Sequence, residues 1–179
     1  PKNHFSPKEF QCLSERDFEL MDAEHLFNNG QTQYELYRWH DFYFSVYCCF
    51  ELSSITERSL FQSYADAVIA VEWNHDIYYY QNILESLARD LHCYCIQANS
   101  SDCGDSRITQ PSKHDDQDIL RVKGGDAPTI LIGTIDIERL RRFQCEGYGE
   151  QKADGYFKPT PPLFNKKVVE KKIRGEKLF

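Results

Sequence analysis

Two adjacent cysteines, Cys48 and Cys49, stand where an aromatic, β-branched segment gives way to Phe50 and Glu51. A cysteine at such a strand-to-loop elbow can present its sulfur to a substrate while neighbouring backbone amides stabilise an oxyanion. Side chains alternate along a strand, so Cys48 lies on the same face as Phe42, Phe44 and Val46, and Cys49 falls at the turn. Cys49 is therefore the predicted nucleophile. A small, inert core residue is the structural alternative for a strand-end cysteine.

The segments that must position this elbow follow from the pattern of apolar residues. Residues 41–48 and 67–73 are almost uncharged and predict strands that are buried on both faces. Trp73 and Asn74 follow the second of these strands, where they would line a pocket or pack in the core. Further strands are predicted at 93–98, 106–110 and 129–135.

Two helices are predicted between these strands. Ser54 and Glu57 have the spacing of a capping box and predict a short helix. Asp76 is the predicted cap of a longer helix, whose apolar stripe is Tyr80, Ile83, Leu84, Leu87, Ala88 and Leu91. A polar turn at 99–105 and a solvated acidic stretch at 114–118 separate the later strands. The β-α-β-α-β-β-β order predicts an α/β fold with a mostly buried sheet.

Composition limits the classes of partner. The chain has 179 residues, 41% of them hydrophobic, and its net charge is -7. No apolar run approaches the ~20 residues of a membrane helix, so no membrane partner is predicted. Basic residues concentrate at 166–177 and leave a strongly acidic body, which repels nucleic acid phosphates.

The cysteine and histidine patterns argue against a metal or a cofactor. The seven cysteines include no C-x-x-C pair, and the six histidines form no H-E-x-x-H motif. An odd number of cysteines in a chain of this size also argues against a secreted disulfide framework, so a reducing cytoplasm is expected. Gly124 and Gly125 lack the context of a phosphate-binding loop and predict a turn. We expect no metal and no cofactor.

Four segments in order resemble the carbon–nitrogen hydrolase (nitrilase) superfamily. Residues 49–51 match the family's nucleophile motif, C-[YWF]-[DE]. Residues 98–100 resemble its alanine–asparagine turn, and residues 104–111 its glycine–small–serine strand closed by proline. Residues 131–141 resemble a late strand that leads into the closing helix.

Upstream of the cysteine, residues 2–5 stand in the place of the family's R-K-x-H-L segment, and Glu9 in the place of its second glutamate. The resemblance spans residues 2 to about 144. It implies a nitrilase-like α-β-β-α sandwich that is incomplete, with the early strands missing, in residues 1–146. Residues 147–179 are then a C-terminal extension with a basic tail, which wraps the surface or reaches a partner. The family's homo-oligomers imply that two such units associate.

The resemblance also implies a mechanism and a substrate class. Cys49 would attack a small amide or nitrile, with Lys2 and the amide of Phe50 stabilising the oxyanion. Glu9 would orient Lys2 or position a water. The structural alternatives are a solvated cation for Lys2 and a helix-start carboxylate for Glu9.

One departure from the family pattern keeps two functions open. The family's general base is a glutamate on an early strand before the lysine, so we expect it upstream of Pro1 unless this version is inactive. Residues 1–179 alone are therefore expected to hydrolyse amides very slowly or not at all. If they turn over well, Glu51 and Glu72 are the next carboxylates to test. The first hypothesis is a cysteine-dependent amide or nitrile hydrolase within a longer polypeptide. The second is a non-catalytic nitrilase-like assembly module. Residues 140–144 and the aromatic-rich strand are also similar to nitrilase-like domains fused to bacterial defence-associated reverse transcriptases, so any nucleic acid would bind through a fused domain.

Overall fold

A computed structural model of the chain describes residues 2–18 and 33–179. Six strands in these residues form a single sheet, in which each strand lies beside the next one along the chain. They are β1 (Tyr37–Trp39), β2 (Phe42–Cys48), β3 (Ala67–Glu72), β4 (Tyr94–Asn99), β5 (Ser106–Thr109) and β6 (Asp118–Val122). The three central strands, β2 to β4, are parallel, and the other pairings are antiparallel. Their carboxyl ends therefore meet at one edge of the sheet.

Helices cover the sheet and fill its connections. They are α1 (Pro7–Ser14), α2 (Ile55–Arg58), α3 (Ile77–Leu91), α4 (Ile137–Cys145), α5 (Tyr148–Asp154) and α6 (Lys166–Ile173). Helix α3 confirms the predicted stripe, because its six buried residues are the six expected ones. Asp76 caps it by accepting a hydrogen bond from the Tyr79 amide at 3.3 Å. The predicted α/β class is confirmed.

Two apolar clusters lie on opposite faces of the sheet. The larger one joins α3 to the inner side chains of β2, β3 and β4, including Tyr47, Val68 and Cys95. The smaller one packs Leu140 and Phe143 of α4, with Phe157, against the amino ends of the central strands. The carboxyl edge of the sheet is thereby left for loops and side chains that do chemistry.

The strand predicted at 129–135 is wrong. That segment has no regular secondary structure and pairs with no described strand, and Ile130 and Ile132 are 91% and 93% exposed. The sixth strand is instead β6, which begins inside the stretch predicted to be solvated and pairs antiparallel with β5. A strand at the edge of a sheet needs apolar residues only at alternate positions, and β6 has this pattern. The continuous apolar run at 129–135 therefore did not indicate a strand.

The C-terminal residues pack on the body of the protein. Val169 of α6 is fully buried, and Lys172 of the predicted basic tail is buried in an ion pair with Asp66 at 2.9 Å. Burial of that lysine follows from its partner, since an unpaired ammonium group would be costly to desolvate. The domain boundary at residue 146 stays a prediction. Among the residues that the structure describes, no helix combines the length and apolar character of a membrane span.

Candidate active site

The chain turns sharply at Cys49. This residue has a φ of 48°, in the left-handed region, and begins a 3₁₀ turn over Cys49–Ser53 directly after β2. A left-handed conformation is strained for a residue with a side chain and persists only where its surroundings impose it. The predicted strand-to-loop elbow is therefore present at the predicted residue.

Glu51 holds this elbow against the start of the chain. Its buried carboxylate accepts hydrogen bonds from the backbone amides of Cys48, at 2.7 Å, and Asn3. Asn3 follows Lys2, so one side chain links the segment that carries the lysine to the segment that carries the cysteine. The sequence places Glu51 in the nucleophile motif but gives no sign of this positioning role.

A cavity of about 390 Å³ opens beside the elbow. It brings together five of the six predicted site residues: Glu9, Cys49, Phe50, Trp73 and Asn74. The structure adds residues that the sequence did not assign to a site, which are Ser6, Lys8, Cys12, His75, Asp76, Tyr79 and Tyr80. The two tyrosines lie on the first turn of α3. Only the packing of that helix against the sheet brings them to the cavity beside Cys49.

Lys2 does not line the cavity but reaches it through Glu9, with which it forms an ion pair. Its side chain is 15% exposed, so it is not the solvated cation of the alternative interpretation. Glu9 also accepts a hydrogen bond from the Ser6 amide at 2.8 Å, within the capping box of α1. Burial raises the pKa of Glu9, but the hydrogen bonds from Lys2 and Ser6 outweigh it and hold the pKa below its usual value. Glu9 is thus both a helix cap and the partner of the lysine.

The surroundings of Cys49 disfavour its thiolate. Burial raises the pKa of the thiol, while the charge of Lys2 and a hydrogen bond from the Trp73 amide lower it. The negative charges of Glu72 and Glu9 oppose the lysine, and the net pKa is raised. The thiol therefore needs a proton acceptor before it can act as a nucleophile.

Glu72, the last residue of β3, is a buried carboxyl group near the cysteine. Burial raises its pKa to about 7, although the Gln97 side chain lowers it. Its Oε2 accepts a hydrogen bond from Gln97 at 2.7 Å, and hydrogen bonding by the Asn74 side chain also lowers its pKa. A carboxyl group that titrates near neutrality suits general acid–base chemistry.

Trp73 and Asn74 lie at the rim of the cavity. The Trp73 side chain is 66% exposed, which excludes the core-packing alternative. The Asn74 carbonyl and amide are held by the side chain of Asn99, at 2.9 Å in both cases. These residues are available to a ligand in the cavity.

A larger groove of about 730 Å³ lies elsewhere, between β1, α4 and the end of α6. Arg141, Arg142 and Arg174 line it together with Trp39. The described residues that line this groove include no cysteine and no serine, so we place the candidate nucleophile in the smaller cavity.

No protein-family model and no curated protein sequence matches the chain. Solved structures do match it. The amidase from Nesterenkonia sp. superposes with a TM-score of 0.55 at 13% identity, over 86% of this chain and 54% of that one. The chain has the nitrilase fold. XC1258 from Xanthomonas campestris, a CN-hydrolase superfamily protein with an arsenic adduct in its active site, superposes with a TM-score of 0.53 at 14% identity, over 63% and 47% of the two chains.

This likeness confirms the fold that the sequence motifs implied. The chain spans about half the length of these two neighbours, and identity at this level concerns the fold alone. The roles assigned to Cys49, Lys2, Glu9 and Phe50 therefore stay predictions, as do those of Trp73 and Asn74.

Proposed function

We propose that the protein uses Cys49 to hydrolyse a non-peptide carbon–nitrogen bond in a small amide or nitrile. The observation that carries this proposal is the left-handed elbow at Cys49, which opens into the 390 Å³ cavity beside the Lys2–Glu9 ion pair. A strained nucleophile with a cation and backbone amides nearby is the arrangement that acyl transfer requires.

The reaction on an amide has two halves. The Cys49 thiolate attacks the carbonyl carbon, and the electron pair of the C=O bond moves to the oxygen. The Phe50 amide stabilises this oxygen by a hydrogen bond, and Lys2 does so by its positive charge from beside the cavity. The C–N bond breaks as the carbonyl reforms, and the nitrogen takes the proton released by the thiol. Ammonia then departs, and the acyl group stays on Cys49 as a thioester. Water then attacks the thioester and releases the acid and the thiol. A nitrile would enter through an analogous attack on its carbon.

Two carboxylates differ in their suitability as the proton acceptor. Both oxygens of Glu51 accept hydrogen bonds from backbone amides, which suits a structural role. Glu72 has a pKa of about 7, raised by burial, and its carboxyl group is held by the Gln97 and Asn74 side chains. Among the described residues we therefore assign proton transfer to Glu72, while the family resemblance assigns it to an early-strand glutamate before the lysine.

Acrylamide is a suitable probe of the nucleophile. In a structure of one mutant of the Nesterenkonia amidase, acrylamide has added to the active-site cysteine; that structure superposes with a TM-score of 0.52 at 13% identity. We expect limiting acrylamide to modify Cys49 first, as judged by peptide mapping. Cys48→Ala should leave the labelling rate unchanged, and Lys2→Met should slow it, because loss of the cation raises the pKa of the thiol further. Preferential labelling of Cys48 or Cys103 would overturn the assignment.

Ammonia release from a panel of small amides and nitriles tests the reaction itself. Cys49→Ala should abolish release, and Glu72→Gln should lower it by about 10²–10⁴-fold if Glu72 moves the proton. The same Glu72→Gln change removes a negative charge beside the thiol, so it should speed acrylamide labelling at pH 8. Opposite effects on labelling and turnover separate a proton-transfer role from a collapsed site.

A non-catalytic assembly module is the second candidate function. It is favoured by the raised pKa of Cys49 and by the apolar side chains left uncovered on one face of the sheet. Absence of Cys49-dependent ammonia release, with self-association in sedimentation experiments, would support it. Under either function we propose a homo-oligomer in the cytoplasm, where the seven free cysteines would stay reduced.

A further inference from the structure

Three side chains with different ligand atoms converge at the rim of the cavity. They are His75, Asp102 and Cys103, and one ligand atom from each lies within 4.8 Å of the other two. The Sγ of Cys103 is 3.5 Å from Nδ1 of His75. His75 belongs to the connection between β3 and α3, and the other two belong to the turn between β4 and β5. The sequence does not suggest this cluster, because 28 residues separate the histidine from the cysteine.

The two loops that carry these residues are held together by Asn99. Its side chain accepts a hydrogen bond from the Asn74 amide at 2.9 Å and donates to the Asn74 carbonyl at 2.9 Å and the Gly104 carbonyl at 2.8 Å. Gly104 has a φ of 80°, and a Cβ there would lie 1.8 Å from the Lys123 carbonyl oxygen. The three ligand atoms are thus gathered by the fold before anything binds, which lowers the cost of binding.

A neighbouring hydroxyl group orients two members of the cluster. Ser100 donates a hydrogen bond to Asp102 and lies 3.3 Å from the Sγ of Cys103. Partners of this kind fix the direction of metal ligands and contribute to affinity.

We propose that His75, Asp102 and Cys103 bind a divalent transition-metal ion of the zinc class through Nδ1, a carboxylate oxygen and the thiolate. Imidazole and thiolate favour zinc, whereas magnesium and calcium favour oxygen ligands. Three protein ligands leave the fourth position of a tetrahedral ion for water or for an incoming group. The Cys103 proton is released to solvent on binding.

This site lies beside the candidate active site and does not depend on it. His75 also lines the cavity that contains Cys49, so the metal would sit at its entrance. The sequence predicts no metal, because this ligand set spans two loops and forms no motif of contiguous residues. The inference goes beyond the proposed hydrolase and needs no amide turnover to be tested.

Cobalt titration of the whole 179-residue chain tests the site, because a thiolate bound to cobalt gives a near-ultraviolet charge-transfer band. We expect one equivalent to produce the band, zinc to displace it, and Cys103→Ser to abolish it. His75→Ala should weaken binding by at least about tenfold. Cys145→Ser is the matched control, since that free cysteine lies on α4, and it should bind as the native chain does.

A band that persists in Cys103→Ser, or one that disappears in Cys12→Ser or Cys49→Ser, would overturn the assignment. A second measurement needs no variant. Zinc should slow iodoacetamide modification of Cys103 in the native chain by at least about tenfold and leave Cys145 unaffected. Equal modification with and without zinc would overturn the proposal.

Discussion

The two faces of the central sheet are covered to different extents. On the face toward α3, Val68 and Ala70 of β3 and Cys95 of β4 have no exposed surface. On the other face of the same strand, Ala67 is buried, Ile69 is half-buried and Val71 is 50% exposed. Burial on the second face therefore falls from the amino to the carboxyl end of the strand.

The difference follows from the lengths of the covering elements. Helix α3 has 15 residues and packs against the inner side chains of β2, β3 and β4. Helix α4 has nine residues and, with Phe157, reaches only the amino ends of the central strands. The apolar strands predict that both faces of the sheet are buried. In the described residues, the face toward α3 is buried along its length, and the other face is buried only at its amino end. We expect self-association to use the uncovered part of the second face.

The largest expected effect concerns Asp66, which joins α4 and α6 at the amino end of β3, where the second face is buried. Asp66 accepts hydrogen bonds from Arg141 at 3.0 Å and Lys172 at 2.9 Å, and the Lys172 side chain is fully buried. Asp66→Ala leaves these buried cations without their carboxylate and should lower the free energy of unfolding by about 3–5 kcal/mol in urea denaturation. The control is Asp41→Ala at an exposed pair with Arg38, which should cost under about 1 kcal/mol. Equal losses for both would contradict a role of Asp66 in anchoring α6.

A pH-dependent effect is expected at the polar end of the α3 face. Glu72 has a pKa of about 7 in the folded chain, raised by burial from its ordinary value of 4.5. The folded state therefore holds this proton more tightly, so the contribution of Glu72 to stability is greatest below pH 4.5 and falls as the pH rises through 7, by up to about 3 kcal/mol.

Urea denaturation between pH 4.5 and 8 checks this effect. Glu72→Gln should remove that component of the slope, because glutamine does not titrate. An unchanged slope in the variant would show that Glu72 is solvated in the folded protein.

The smallest expected effect compares one substitution on the two faces of β3. Val68→Ala should cost about 2 kcal/mol, because it removes buried methyl groups and leaves a cavity. Val71→Ala should cost under about 1 kcal/mol, because half of that side chain is already exposed. Chemical denaturation at several protein concentrations measures both. Equal, concentration-dependent losses would show that association covers the second face in solution.

Local patterns in the sequence determined the elements around the site. The stripe of α3, the apolar runs of β2 and β3, and the elbow at Cys49 were all predicted, because each pattern repeats within one element. The failure at 129–135 has the same physical origin. Apolar composition measures a tendency toward burial, and β6 became a strand through its antiparallel pairing with β5.

Only the tertiary structure decided which distant side chains meet. Glu51 contacts an amide 48 residues away, the Cys103 thiol contacts a histidine 28 residues away, and Lys172 pairs with a carboxylate 106 residues away. No periodicity encodes such contacts, because they depend on the path of the chain between elements and on the order of strands in the sheet. The sequence by itself therefore determined the fold class and the position of the candidate nucleophile. The packing of the sheet decided which carboxylates lie beside that nucleophile, which apolar face stays uncovered, and that His75, Asp102 and Cys103 form a cluster. The reason is that close packing brings together groups whose spacing along the chain does not indicate that they will meet.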